Sequence, residues 1–257
     1  MTPQRTPYAP YGSAVFRREL RARLSPGLAV GELIDDFHHF RAFVHHDGKR
    51  ITDIRAETPR YPWTTCPAAG EVLRGLVGAP LSDNVRGPAA HTRARSQCTH
   101  LFDAACLAIA RAGRDVGDVT YRVAFPDRKD GRSTAAFARN GEPLLEWKLR
   151  GFEIEDPAPF AGRSILRGFA DWVAETFDPE QAEAIYLFQR ACVIAGGREI
   201  DIEAVSRADL GAHVPMGVCH SYQPENASQA FRMAGTVRNL SDEADLEAAS
   251  LSPAKLD

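Results

Sequence analysis

Cysteine and histidine side chains stand at the predicted starts of two helices. Cys66 precedes Pro67, and Cys98 and His100 begin the next helical segment. The unpaired N–H groups at a helix N-terminus favour anions and lower the pKa of a thiol. Thiolate, imidazole and carboxylate groups are also the usual ligands of zinc or iron. Together with Asp36, these residues predict either a thiol nucleophile with its base or a metal site.

Three interpretations of this group stay open. In the first, Cys98 and His100 are catalytic, as a nucleophile and its base. In the second, Cys66, Cys98, His100 and Asp36 bind one zinc or iron ion. In the third, both cysteines only fill buried positions, and His100 hydrogen-bonds a backbone carbonyl.

A second group of histidines lies in the segment DDFHHFRAFVHHDG, residues 35–48. His38 and His39 are adjacent on a predicted strand, so their side chains point to opposite faces and only one can face a pocket. We predict that His38 is the one in the site, as a catalytic base. His45 and His46 flank a predicted turn and are expected to be solvated.

Aromatic and basic residues precede Cys66 and are candidate substrate-binding residues. Tyr61 and Trp63 stand in the segment RYPWTTCP, where aromatic rings at a loop mouth would suit an aromatic ligand. Arg55 and Arg60 could hold a carboxylate through two parallel hydrogen bonds. Core packing for the rings, and a solvated surface for the arginines, are the alternatives.

Tyr222 is a further catalytic candidate. It lies in the predicted loop GVCHSYQP beside His220, and polar groups on loops often serve function. The phenol could act as a general acid or base. The alternative is a turn stabilised by Ser221 and Pro224.

Hairpin, helix and strand signals define the elements that must position these residues. Asp47-Gly48 predicts a hairpin between strands near 40–44 and 51–57. Helices are predicted from Pro67 to Val77 and over 99–113, the second with Thr99 as its N-cap. Strands then follow near 118–126, 133–139 and 143–154, and two helices divide near residues 178–179.

This order indicates an α+β fold rather than alternating α/β. We expect a β-hairpin with a helix pair, extended by a second antiparallel sheet and further helices. We expect one domain over residues 1–257, with sub-parts 14–115 and 116–240. Residues 241–257 are predicted to be a frayed tail.

Composition narrows the class of protein. The chain has 257 residues, of which 44% are hydrophobic and 25% charged, and its net charge is −3. It lacks the surplus of basic residues that is typical of nucleic-acid-binding proteins. No apolar run approaches the roughly 20 residues that cross a bilayer, and the N-terminus has no apolar signal region. The five cysteines therefore predict cytoplasmic thiols. A homodimer is left open.

Residues 35–112 resemble the domain-of-unknown-function family 2889. The resemblance is carried by the Asp47-Gly48 hairpin, the Cys-Pro at the first helix and the Cys-Thr-His-Leu at the second. Asp36 stands where that family usually has histidine, with His38 on the same strand face, and Gln97 stands where it usually has glycine. The layout is also similar to iron–sulfur assembly scaffolds. The family resemblance implies a role in the breakdown of aromatic acids and lignin-derived aromatics.

Two functions follow as hypotheses, since the sequence has no phosphate loop, dinucleotide fingerprint or serine elbow. The first is a lyase without cofactor that acts on a small phenolic aromatic by deformylation or decarboxylation, with His38 or His100 as the base. The second is a non-catalytic scaffold that binds a metal or an iron–sulfur centre through Cys66, Cys98 and His100. The substrate in the first case is a small molecule, and neither hypothesis involves a membrane.

Overall fold

A computed structural model describes residues 11–211 and 214–250, which form eight strands and six α-helices. The strands are β1 (Val15–Ser25), β2 (Leu28–Asp35), β3 (His39–His46), β4 (Ile51–Arg60), β5 (Val119–Pro126), β6 (Arg132–Arg139), β7 (Glu142–Arg150) and β8 (Glu153–Asp156). The helices are α1 (Ala69–Leu73), α2 (Thr99–Arg114), α3 (Phe169–Thr176), α4 (Pro179–Ala195), α5 (Pro224–Ala227) and α6 (Glu243–Ser250). No helix among these residues is both long and apolar enough to cross a lipid bilayer.

The strands form one antiparallel sheet in the order β4-β3-β2-β1-β5-β6-β7-β8. The α+β class is thus confirmed, but the expected second sheet is wrong. Strand β1 pairs with β2 on one side and β5 on the other. It therefore joins the two groups of strands into a single sheet.

Alternating side chains give the sheet a helix-covered face. In β5, Val119, Tyr121, Val123 and Phe125 are buried, while the residues between them are partly exposed. This two-residue period places the four side chains on one side of the sheet. Strand β2 is buried at every position because both of its faces are covered. Helix α2 packs on one face, and α6 lies against the other.

Helix α2 confirms the predicted segment but not its cap. Cys98 is the N-cap residue, and the Thr99 hydroxyl donates instead to the Val218 carbonyl at 3.1 Å. The helix continues to Arg114, where Asp115 adopts the left-handed conformation, φ 53°. Cys98 has an extended backbone and therefore ends the irregular connector before the helix begins.

Other elements match the sequence signals in part. The Asp47-Gly48 hairpin joins β3 and β4, and Asp178 caps α4 through the N–H groups of Glu180 and Gln181. The helix predicted from Pro67 is divided into α1 between two short 3₁₀ segments. The strand expected over 143–154 is two strands, because Gly151 turns the chain at φ 57°.

Helix α6 lies where the sequence predicts a frayed tail. Its residue Leu246 is buried against Ile34 of β2 and against Leu240. An alanine-rich, acidic sequence has a weak amphipathic signal, so this apolar anchor is not evident from its pattern. Residues 251–257 of the predicted tail lie outside the described residues.

Gly31 sets the distance between α2 and the sheet. A Cβ at Gly31 would lie 1.9 Å from the carbonyl oxygen of Ala104 on α2. The helix backbone therefore rests directly on β2, which brings the first turn of α2 over the end of that strand.

We predict that Gly31→Ala destabilises the protein by about 3 kcal/mol, because the helix backbone must move to admit the methyl group. Urea unfolding would measure the loss. Gly75→Ala is the control, since a Cβ there meets no atom within 4 Å. Equal stabilities of the two variants would show that α2 does not depend on this close approach.

Candidate functional site

The candidate site is built around a buried ion pair between neighbouring strands. Arg18 of β1 and Asp35 of β2 are paired across the sheet, and both side chains are fully buried. The Nε and Nη2 atoms of Arg18 donate to Oδ2 of Asp35 at 3.1 and 2.6 Å. Both bonds converge on one oxygen, so the guanidinium holds Oδ2 of the carboxylate in place.

The second carboxylate oxygen of Asp35 organises the turn from β2 to β3. Its Oδ1 accepts the backbone N–H groups of Phe37 and His38 at 2.9 and 2.8 Å. The same oxygen lies 3.1 Å from Nδ1 of His38. The turn therefore holds the His38 ring with Nδ1 towards Asp35 and with Nε2 away from it.

Helix α2 adds the second imidazole. The ring of His100 stacks on the ring of His38, with centroids 3.6 Å apart and planes 21° apart. His100 Nε2 lies 3.9 Å from Asp35 Oδ2 and, among the described residues, has no hydrogen-bond partner. His38 and His100 thus meet at one carboxylate. The sequence makes each histidine a candidate site residue but does not show that the two come together.

Burial and charge set the protonation states. Burial alone would raise the pKa of Asp35, but the Arg18 guanidinium and His38 hold it well below its usual range. Burial lowers the pKa of His38 despite the opposing charge of Asp35. Burial, with His38 and Arg18 nearby, places the pKa of His100 well below its usual range. At neutral pH the carboxylate is charged and both imidazoles are neutral.

This arrangement is suited to proton transfer. A neutral His38 that donates from Nδ1 to the Asp35 carboxylate presents Nε2 as a base. The side chains of His38 and His100 are 11% and 9% exposed, so both rings are mostly buried and each keeps a small exposed area. Asp35 holds the ring and would stabilise the imidazolium that forms when a proton is taken.

Asp35, His38 and His100 are also the ligand set that the structure offers to a metal. Their ligand atoms lie within 4.8 Å of one another. Zinc needs nitrogen atoms at about 2.0–2.1 Å with lone pairs directed at the ion. Stacked rings direct their lone pairs in two separate planes, and Arg18 already occupies one carboxylate oxygen. The geometry therefore favours proton transfer over metal binding.

The other metal candidates lie elsewhere around this group. The side chain of Asp36 accepts a hydrogen bond from Nη1 of Arg198 at 2.9 Å instead of joining Asp35. Cys66 Sγ lies 3.4 Å from the Ser221 hydroxyl. Within the described residues, the set of close ligand atoms contains His100 but neither Cys66, Cys98 nor Asp36.

The thiols are buried and protonated. Burial raises the pKa of Cys66 to about 12. It raises the pKa of Cys98 well above its usual range, although Cys98 is at the N-cap of α2. Desolvation therefore outweighs the helix N-terminus, and neither thiol is prepared as a nucleophile.

The predicted arginine ligands occupy two different places. Arg60 is partly buried behind the β2–β3 turn, where it donates to the backbone carbonyls of Asp35, Asp36, His38 and Thr236. It holds the turn that carries the site. Arg55 lies further along β4, paired with Phe43 of β3, and its side chain is 68% exposed next to Asp53.

The aromatic candidates are separated from the histidine pair. Trp63 is buried, with its ring edge-on to Tyr222 at 5.7 Å and the Arg232 guanidinium over it at 4.4 Å. Tyr61 is partly buried and packs on the same apolar cluster. Tyr222 therefore joins the aromatic group rather than the imidazoles.

Two residues of the site are absent from the sequence-based candidates. Asp35 is the carboxylate that meets both imidazoles, whereas its neighbour Asp36 was the residue singled out by the resemblance. The alternation of β2 offers a signal, because Asp35 falls on the same face as Leu33 and Gly31. Arg18 has no such signal, since its strand is ambiguous and its partner is set by pairing.

The fold and site together define an α+β protein with a buried carboxylate–imidazole cluster. Residues 21–112 match the model of the family described as protein of unknown function (DUF2889), which confirms the resemblance drawn from residues 35–112. Asp35, His38 and His100 lie inside the matched segment, and Arg18 lies outside it. Among curated proteins, none matches the chain.

Asp36 belongs to a buried network that ties the turn to the end of α4. Arg198, just after α4, bonds Asp127 through Nε and Nη2 at 2.7 and 3.1 Å, and it bonds Asp36 through Nη1. Oδ1 of Asp36 has no hydrogen-bond partner within the described residues. Burial raises the pKa of Asp36 to about 7, although Arg198 opposes the shift.

We predict that Asp36 makes the protein less stable as pH rises from about 4 through 7. The folded state keeps a proton on Asp36 that the unfolded chain, with an ordinary pKa, has released. Between pH 5 and 6, the unfolding free energy of the wild type minus that of Asp36→Asn should fall by about 1.4 kcal/mol per pH unit. Urea unfolding at each pH measures this difference, and parallel curves for the two proteins would contradict it.

Proposed function

We propose that the chain is a small-molecule enzyme in which His38 transfers a proton, with Asp35 and His100 beside it. We further propose that it is a cofactor-independent carbon–carbon lyase that acts on a phenolic aromatic compound. The observation that carries the proposal is the contact of His38 Nδ1 with the ionised Asp35 carboxylate at 3.1 Å. It leaves a neutral imidazole with a free nitrogen, which is the state a general base requires.

A phenol suits this base because a one-carbon fragment can leave only if the ring accepts an electron pair. In decarboxylation, the carbon that bears the carboxylate is joined by a double bond to the carbon attached to the ring. His38 removes the phenolic proton and returns it to the carboxylate-bearing carbon, the double bond supplies the electron pair for the new C–H bond, and the phenolate supplies the pair that completes a quinone methide. The bond to the carboxylate then breaks, carbon dioxide leaves, and the electron pair restores the phenolate. Water protonates the phenolate. In deformylation, the same electron flow releases formaldehyde from a hydroxymethyl group whose O–H proton passes to the base.

His100 has a supporting position in this scheme. Its ring covers one face of His38, and Arg18 lies on the far side of the carboxylate. A neutral second ring excludes water from that face without adding charge, so the proton on His38 is stabilised by Asp35 alone. The aromatic substrate class comes from the family resemblance and is part of the proposal.

We expect His38→Gln to lower kcat/KM by about 10²- to 10⁴-fold on the phenolic substrate, because the base is lost. His100→Gln should also lower it, by less. Phenolic acids and hydroxymethyl phenols would be screened for release of carbon dioxide or formaldehyde, and the variants assayed on the compound found. His91→Gln is the matched control, because His91 is an exposed histidine outside the site.

Thermal unfolding of each variant shows that it is folded before activity is compared. Full turnover by both His38→Gln and His100→Gln would rule out the proposed mechanism. So would about one zinc or iron per chain of purified protein that is lost in His100→Gln, since that result would assign the cluster to a metal.

A further inference from the structure

An apolar cavity lies beside the histidine pair but does not include it. The cavity measures about 220 Å³. Among the described residues, its wall is formed by aliphatic side chains and one phenol, those of Ile200, Ile202, Val205, Leu210, Val214 and Tyr222. Gly197 and Gly211 also line the cavity.

One end of the cavity adjoins the turn that carries His38. A Cβ at Gly197 would lie 3.3 Å from the ring of Phe37. The Phe37 ring is in turn edge-on to the His38 ring, with centroids 6.2 Å apart. A single aromatic ring therefore lies between the cavity wall and the proposed base.

The other end is tied to the helix that carries His100. The N–H of His220 donates to the Gln97 carbonyl at 3.0 Å, and the Thr99 hydroxyl donates to the Val218 carbonyl. These bonds hold the segment that ends in Tyr222 against the start of α2. The residues that line the cavity lie within 197–222, and this part of the chain contacts the turn that carries His38 through Phe37 and the start of α2 through these bonds.

We infer that this cavity binds the ring of a monocyclic phenol, with the Tyr222 hydroxyl as its polar contact. An apolar cavity of about 150 Å³ is sufficient to bind benzene, so the present volume admits one ring with small substituents. An aliphatic wall with one polar group is the pattern that binds a ring and orients its substituent. The Phe37 ring separates this cavity from His38, so phenol binding here does not depend on the proposed lyase reaction.

The state of Tyr222 agrees with this role. Burial raises the pKa of Tyr222 to about 12, so its hydroxyl keeps its proton and can donate to a phenolic oxygen. The hydroxyl lies 3.8 Å from the point where a Cβ at Gly211 would be, which places it at the cavity wall. Gly211 is therefore the position from which the space next to the hydroxyl can be filled.

The test is calorimetric titration of the full chain with 4-methylphenol. We expect binding that weakens at least ten-fold in Gly211→Leu, because the longer side chain occupies the cavity. Gly211→Ala is the matched control, since its Cβ would meet Ala208 and Val205 at ordinary contact distances of 3.4 Å. Its affinity should stay within about three-fold of the wild type.

Tyr222→Phe tests the polar contact separately. It should weaken 4-methylphenol binding by about 3- to 10-fold, the range of one hydrogen bond. Binding of toluene, which has no hydroxyl, should not change. Thermal unfolding confirms that each variant is folded.

Absence of 4-methylphenol binding, or equal affinity in Gly211→Leu, would overturn the inference about the cavity. Binding that follows the pattern above supports it even if no phenolic compound is converted. Binding without conversion of any phenolic compound would count against the lyase and not against the cavity, so failure of the one proposal is distinguishable from failure of the other.

Discussion

The buried pair of Arg18 and Asp35 is the interaction on which the site depends. Oδ2 of Asp35 accepts two hydrogen bonds from the Arg18 guanidinium. Oδ1 accepts two from backbone N–H groups and also lies next to Nδ1 of His38. Such a pair adds little net stability, because desolvation offsets the attraction, but removal of one partner would strand a buried charge. Its effect is positional, since it orients the carboxylate that in turn orients His38.

Strand register makes this pair. Arg18 and Asp35 are directly opposite in the β1–β2 ladder. A slip of one residue would send Arg18 to the other face of the sheet. Gly31 sets the position of His100, because the close approach of the β2 backbone to Ala104 brings α2 onto β2 and the His100 ring onto the His38 ring. The site is therefore a consequence of packing between elements that are distant in sequence.

The sequence predicts what local signals determine. The Asp47-Gly48 turn, the α2 segment and the division of two helices near residues 178–179 follow from residue types at fixed spacing, and His38 and His100 were each candidates. The choice of Asp35 over Asp36 was missed, because it depends on which carboxylate faces the helix. The pairing of β1 with β5 was missed as well, since register between distant strands has no local signal. A nucleophile activated by the helix N-terminus was one of the interpretations left open for the thiols at helix starts, but burial, which is a tertiary property, raises their pKa instead.

The site and its surroundings combine residues of the matched segment with residues from the rest of the chain. The matched segment, residues 21–112, holds Asp35, His38 and His100, which could move a proton. Arg18 keeps the carboxylate ionised, Arg198 ties the neighbouring Asp36 to the end of α4, and Tyr222 lines the adjoining cavity, and all three lie outside the match. The protonation state of the base and the shape beside it are thus set by residues that a match to the segment does not contain. A related segment on a different remainder could keep the histidine pair and act on another ligand, so the activity has to be measured on the whole chain.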